Sequence, residues 1–310
     1  MSNIWQMELK EQIEYLKDIA AAGCNNGIKK PDKFVDWIEW KLGQKIAADY
    51  MIPYNKKMFA DELNNLGTYW LNKLPDVSFE EILYSCLEHK SHGRQPAHST
   101  FLYPKEYGDG EVWERMSKNV ENNVMYGQHI YGIAFDKMEI KTHSGLNVKA
   151  QFIINTIPWK EFKEIQGMPS ALHEKLGTLR HSAIETRLYL EDMDTLAHWI
   201  YYSQEDLPYH RKLIRHNFCP YHGYWTETRY ERISMFDAHD SNVEKYINEY
   251  AYPLNTINKP QFMQDLLSWC RTKQVYGLGR WGEHEHYNSD IVVQKALQLY
   301  EKISGGNYIE

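Results

Sequence analysis

The residues with the most chemical promise lie near the C-terminus, in Gly277-Leu278-Gly279-Arg280-Trp281-Gly282 and the EHEHYNSD run that follows. Beyond that run Val292, Ala296, Leu299 and Ile303 recur at helical spacing, Gly305 marks a stop, and Asn288 or Ser289 supplies a cap. A helix beginning there turns free N–H groups and a positive dipole end toward the glycine turn, an arrangement suited to a phosphate. A fixed guanidinium from Arg280 complements the same charge, and a glycine on each side lets backbone approach a ligand. An ion pair with Glu283 or Glu285 is the plainer alternative for Arg280.

Gly277, Gly279 and Gly282 satisfy GxGxxG by letter but not by context. In a dinucleotide fingerprint the glycines open the helix directly, inside a βαβ unit that continues to a second strand with an acidic end. Here several residues separate the last glycine from the helix, and the remaining chain is spent on that helix and a tail. No other segment carries the fingerprint. His284 and His286 form an HxH pair without a third ligand at a telling spacing, a weak zinc signal. His89 and His92, near a helix end, suit a capping or solvated role. GxSxG, Cys-His and Walker A patterns are missing from the sequence, and no metal centre is expected.

The 35 basic and 42 acidic residues leave a net charge of −7 without a basic run, which argues against nucleic acid as a partner. No stretch has the roughly 20 apolar residues of a membrane span, and the first residues lack a signal-peptide core, so no membrane partner and a cytoplasmic location are expected. Cys24, Cys86, Cys219 and Cys270 are too scattered for a zinc ribbon or a disulfide framework. The 23 tyrosines and 10 tryptophans suit a carbohydrate or flavin pocket, or simply a core.

Periodicity predicts helices over 5–22, with Ile13, Leu16 and Ala20 on the inner face, and over 31–50, with Phe34, Ile38, Leu42 and Ile46 inside. Helices are also expected at 60–74, at 78–90 behind a Ser78 cap, within EVWERMSKNVEN, at 240–251 and at 260–272. FLYP reads as a short extended segment and YGDG as a turn. Three strand-like runs between His129 and Pro158 suggest a β-meander ending in the buried strand FIINTI, and 179–237 suggests a second antiparallel sheet.

Four stretches in order, PDKFVDWIEWKLGQKIAADYMIPYNKKMFA (31–60), FLYPKEYGDGEVWERMSK (101–118), FIINTIP (152–158) and GLGRWGEHEHYNSD (277–290), resemble the UDP-galactopyranose mutase and FAD-dependent amine oxidoreductase superfamily. The resemblance implies an α+β chain with a helical region at 1–95, a flavin-domain-like β-meander at 96–160 and an antiparallel substrate-domain sheet with helices at 161–272. The segment 273–310 would return as strand, turn and helix of a flavin-binding α/β domain. It implies FAD as cofactor, with Gly279, Arg280 and Gly282 near its pyrophosphate or ring edge and Asn288, Ser289 and Asp290 at its ribityl or phosphate end. Tyr54, Lys56 and Lys57 match a substrate-side loop that would meet a nucleotide-sugar diphosphate; solvated lysines are the alternative. Arg187, Arg211 and Arg215 are the cations in the central sheet available to a departing diphosphate, or structural arginines.

The expected activity is that of a nucleotide-sugar mutase acting on a UDP-sugar, with an amine-oxidase-type FAD oxidoreductase or a non-catalytic scaffold as alternatives. Because the family's strand–GxGxxG–helix unit is not in this sequence, a second polypeptide or a homo-oligomer is expected to cover the flavin-side surface. Strand 152–158 outside any sheet would contradict the resemblance.

Overall fold

The structure is a computed structural model in which residues 3–23, 28–71, 78–92, 100–236 and 243–305 are described. In chain order the main elements are helices α1 (Leu9–Gly23), α2 (Phe34–Leu42), α3 (Ile52–Met58), α4 (Phe79–Glu88) and α5 (Gly108–Ser117). Strands β1 (Ile130–Ala134), β2 (Glu139–Thr142), β3 (Asn147–Lys149), β4 (Ile153–Asn155), β5 (Glu164–Gln166), β6 (His181–Tyr189), β7 (Trp199–Tyr201), β8 (Arg211–Leu213), β9 (Tyr224–Arg229) and β10 (Glu244–Pro253) follow. Helix α6 (Lys259–Thr272), strand β11 (Val275–Gly277) and helix α7 (Ser289–Ser304) complete the chain. No described helix is long and apolar enough to cross a membrane. The expected α+β character is observed, and the chain divides into two interleaved units, Met1–Asn119 with Ser182–Ala251, and Val120–His181 with Tyr252–Glu310.

The first unit joins α1 to α5 with a five-stranded sheet ordered β10-β6-β9-β8-β7. Phe34, Ile38, Leu42 and Ile46 are all buried, as their spacing predicts. Gly43, at φ +88°, breaks the long helix after Leu42, and the Asp18 carboxylate accepts the N–H of Lys45 just beyond it. Ser78 caps α4 with the expected geometry, completed by Glu81 into a capping box.

Helix α1 is where expected, but its buried face is Gln12, Tyr15 and Ile19 rather than Ile13, Leu16 and Ala20, and Ile13 is exposed. Polar tips explain the rotation. The Gln12 amide donates to the carbonyls of Trp5 and Met7, and the Tyr15 hydroxyl donates to Asp49 at 2.7 Å. The helix expected over 60–74 is only a 3-10 turn at Leu63–Asn65, because Gly67 bridges to Lys33 and Thr68 donates to the Pro31 carbonyl; 72–77 lie outside the described residues. The helix expected at 240–251 is strand β10, whose tyrosines and Ile247 favour a pleated surface beside β6. FLYP has no sheet partner, and YGDG leads directly into α5.

In the second unit the meander β3-β2-β1 is antiparallel, with β5 added parallel to β1. FIINTIP contributes β4, which leaves the meander and pairs in parallel with β11, Ile153 facing Val275 and Asn155 facing Gly277. The core beneath includes Ile133, Phe135, Trp159, Phe162, Leu266, Cys270 and Val275. Cys86 and Cys270 are buried free thiols, Cys270 pushed up to about 12 by burial; Cys219 is half-buried and Cys24 lies outside the described residues.

Ile38 is fully buried in the first unit's helical core. Ile38→Ala should lower unfolding free energy by about 2–5 kcal/mol in urea titrations, whereas Ile13→Ala, on the exposed face, should change it by less than about 0.5 kcal/mol.

Candidate functional site

In the second unit the glycine turn begins where β11 ends. Gly279 adopts φ +75° and opens a one-turn helix, Gly279–Gly282, before the chain reaches α7 at Ser289. A methyl group on Gly282 would lie 2.0 Å from the Asn155 carbonyl oxygen, and one on Gly277 would lie 2.3 Å from the Gly282 carbonyl oxygen. The close packing of the turn on itself and on β4 is therefore enough to require glycine at both positions. The Trp159 indole N–H donates to the Gly282 carbonyl at 2.8 Å and fixes the turn from below.

Arg280 donates from Nη2 and Nε to the Tyr287 carbonyl, at 2.9 and 3.3 Å. This strap holds the half-buried guanidinium against the residue that precedes the Asn288 cap, and burial works against its charge. Glu283 meets Lys295 at 2.8 Å, and Glu285 meets the buried Lys259 at 2.9 Å, so the carboxylates that offered Arg280 an ion pair are both engaged by lysines. Asn288 stands in the N-cap position without a side-chain cap hydrogen bond, and Ser289 and Asp290 are exposed in the first turn of α7. Arg280 and the start of α7 are thus brought together as the motif suggested. Val292, Ala296, Leu299 and Ile303 form the half-buried face of α7.

The histidine pairs divide. His284 is buried and donates from Nε2 to the Arg180 carbonyl at 3.0 Å; burial, followed by Lys259, pushes its pKa down to about 3. His286 lies against the Tyr252 ring. His89 ends α4 in a left-handed conformation and His92 contacts Glu88. Among the described residues no group of three His, Cys, Asp or Glu side chains is placed to hold a metal.

The first unit carries the other candidates. Tyr54 stacks on Tyr50 and presents its ring to the edges of Tyr201 and His210. Lys56 is half-buried, and Lys57 is only 1% exposed. Its ammonium donates to the carbonyls of Tyr202 and Gln204 at 3.0 and 2.8 Å, and burial pushes its pKa down to about 8. Lys57 is a pin for the loop between β7 and β8 rather than a solvated lysine.

Strand register separates the three arginines. Arg187 lies opposite Thr226, and Arg211 opposite Glu227; neighbouring positions on β9 point to opposite faces, so Arg187 and Arg211 do too. Arg187 is buried, paired with Glu185 at 2.5 Å, and stacked 3.5 Å from the Phe236 ring centre. Arg211 is held by Glu227 at 2.5 and 3.1 Å. Burial favours the neutral form of Glu227, but His210 and Arg211 outweigh it and hold the carboxyl at about 2. His210 is itself buried, its Nε2 3.5 Å from that carboxylate, and burial pushes its pKa down. Arg215 follows β8 on a 3-10 turn between the rings of Tyr221 and Trp225. Sequence reasoning missed Glu185, His210 and Glu227. The available signal was an acidic residue inside the strand-forming run YWTETRY, where a buried charge requires a partner.

Glu227 has a folded pKa of about 2 against an ordinary 4.5, so its stabilising contribution is complete above 4.5 and disappears as pH falls toward 2. Urea midpoints of wild type and Glu227→Gln should therefore differ most above pH 4.5 and converge below it, with wild type the more stable at neutral pH.

No family model matches the chain. Its fold is similar to that of a reduced UDP-galactopyranose mutase, with a TM-score of 0.86 at 17% identity over 98% of this chain and 74% of that one. It is also similar to a CLA-producing fatty acid isomerase from P. acnes (TM-score 0.56, 12% identity, 95% of this chain and 74% of that one). A putrescine oxidase variant gives a TM-score of 0.50 at 10% identity, over 86% of this chain and 68% of that one. The chain therefore has the mixed helix-and-sheet fold that these mutase, isomerase and oxidase structures share.

Proposed function

We propose that this chain is a UDP-galactopyranose mutase-like, flavin-dependent protein that handles a nucleotide sugar. The observation that carries the reading is the Arg280 strap beside the uncapped start of α7, within a fold that follows the mutase structure over nearly the whole chain. A guanidinium and free helix-start amides are a donor set for a phosphate, and they fit the pyrophosphate side of FAD.

When bound and reduced, the flavin supplies the nucleophile for displacing the sugar's diphosphate. The chain's residues have the remaining tasks. Arg280 and the first turn of α7, including Asn288, Ser289 and Asp290, hold a phosphate. Arg211 and Arg215 on the sheet offer positive charge to the departing diphosphate, with Tyr201 across from Arg211 and Tyr54 edge-on to Tyr201. Arg187 is taken by Glu185 on the opposite face and is left with a structural role. Lys57 positions the loop that follows Tyr201.

The same reading calls for a strand–glycine–helix segment from a second polypeptide or another copy. Its support is the β4–β11 sheet, which has two parallel strands and leaves Ile154 47% exposed, although parallel strands ordinarily lie within larger covered sheets.

Flavin affinity, measured by fluorescence quenching with the segment-supplying polypeptide present, tests the reading. Arg280→Ala should weaken FAD binding about ten- to a hundredfold, corresponding to roughly 1.5–3 kcal/mol. Arg280→Lys should be nearly as weak, because an ammonium cannot reproduce the planar fork. Unchanged affinity in both variants would remove Arg280 from the site, and a colourless chain in stable oligomers would favour the scaffold alternative.

A further inference from the structure

We propose that β10 is a docking edge for a second copy of this chain, the two strands pairing antiparallel about a two-fold axis at Ile247. The strand ends the order β10-β6-β9-β8-β7, so one of its sides has no neighbouring strand among the described residues. At ten residues, Glu244–Pro253, it is the longest strand of its sheet, whereas the opposite edge, β7, has three. From Glu244 to Glu249 every residue is exposed, Tyr246 at 70% and Ile247 at 43%, and no proline or glycine interrupts the run. Native edges are ordinarily short, bulged or covered, because unpaired N–H and C=O groups invite another strand.

Charge complementarity identifies the partner. In antiparallel pairing about a two-fold axis, residues equidistant from the axis lie opposite each other, and each pair occurs twice. An axis at Ile247 sets Lys245 opposite Glu249, Tyr246 opposite Asn248 and Glu244 opposite Tyr250, with Ile247 against its own copy. The run thus gains two opposite-charge pairs. The Tyr250 hydroxyl meets a carboxylate acceptor, and Tyr246 meets the Asn248 amide, whose oxygen accepts the Tyr250 N–H of its own strand at 3.1 Å. Among the described residues Lys245 and Glu249 form no ion pair, so a second copy supplies what the chain itself does not.

Neighbouring alignments are poorer. An axis midway between Tyr246 and Ile247 would oppose Glu244 to Glu249, like charge to like. An axis at Tyr246 would set Lys245 against Ile247, and one at Asn248 would set Glu249 against Ile247. Of these alignments only the one at Ile247 joins opposite charges, so the charges on this edge select a register as well as a partner. Two five-stranded sheets then continue as one. This contact is separate from the segment that the β4–β11 sheet calls for and stands independently of the flavin reading.

Sedimentation equilibrium of the full chain tests this, comparing wild type with Lys245→Glu, Glu249→Lys and the double swap Lys245→Glu/Glu249→Lys. Wild type should be a dimer. Each single swap puts two like-charge pairs into the interface and should raise the dimer Kd about tenfold or more, and the double swap should bring it back close to wild type. Both side chains are exposed, so the circular dichroism of every variant should match wild type. Ile247→Cys reads the register directly: with oxidised glutathione it should cross-link two chains through position 247, whereas wild type should not cross-link. A monomeric wild type, or a dimer indifferent to the single swaps, would overturn the proposal. So would a double swap that associates as weakly as the single ones, since an axis at Ile247 requires residues 245 and 249 to face each other.

Discussion

The second unit depends on a contact between two stretches of backbone: the turn at Gly282 lies against the Asn155 carbonyl so closely that no side chain fits between them. That approach permits β11 to pair with β4, brings the Gly282 carbonyl over the Trp159 indole, and sets the direction in which the chain leaves toward α7. The position of Arg280 is a by-product of the same constraint. With Gly279 in a left-handed conformation and Gly282 pressed on the strand, the one-turn helix between them has little freedom, and the guanidinium reaches the Tyr287 carbonyl. A motif that reads as a ligand cradle is thus first a device for packing backbone on backbone.

The first unit meets a different difficulty, that of placing charge in a sheet without leaving it uncompensated. Removing a cation from water costs several kcal/mol unless a partner is at hand, and here the partners come from the pleat itself. Glu185 is two residues from Arg187 on one face; Glu227 lies directly across from Arg211 on the other. His210 adds a buried ring beside Glu227, and the buried Thr226 hydroxyl, on the Arg187 face, has no hydrogen-bond partner among the described residues. Only the second pair crosses strands, and it fixes register, because a one-residue slip of β8 along β9 would send Arg211 away from Glu227.

Much of this was legible in the sequence where one interaction dominates. Phe34, Ile38, Leu42 and Ile46 repeat at helical spacing, and burial follows the repeat. Ser78 and Glu81 make a local cap that needs nothing from the rest of the fold. The antiparallel sheet over 179–237 and the association of Arg280 with the start of α7 were similarly readable. What failed was settled at a distance. The inner face of α1 is chosen by Asp49, which supplies an acceptor to Tyr15 from another helix region, and β10 is a strand because β6 lies beside it. The division of the arginines between two faces follows from register with β9, which spacing within β6 or β8 alone does not encode. The grouping of distant segments into two units is likewise invisible to a reading that moves along the chain.

That grouping has a consequence for how the chain must be made. Ile153 leaves the ribosome long before Val275, its partner in the parallel pair, and the turn that seals Trp159 comes later still. The first unit likewise waits for β10 before β6 has neighbours on both sides. Neither unit can finish during synthesis of its own first half, and both close on segments far apart in sequence, the topology associated with slow folding. Half-made chains would expose the apolar side of β4 throughout that interval, so nascent polypeptide of this protein is expected to be a client for chaperones rather than an independent folder.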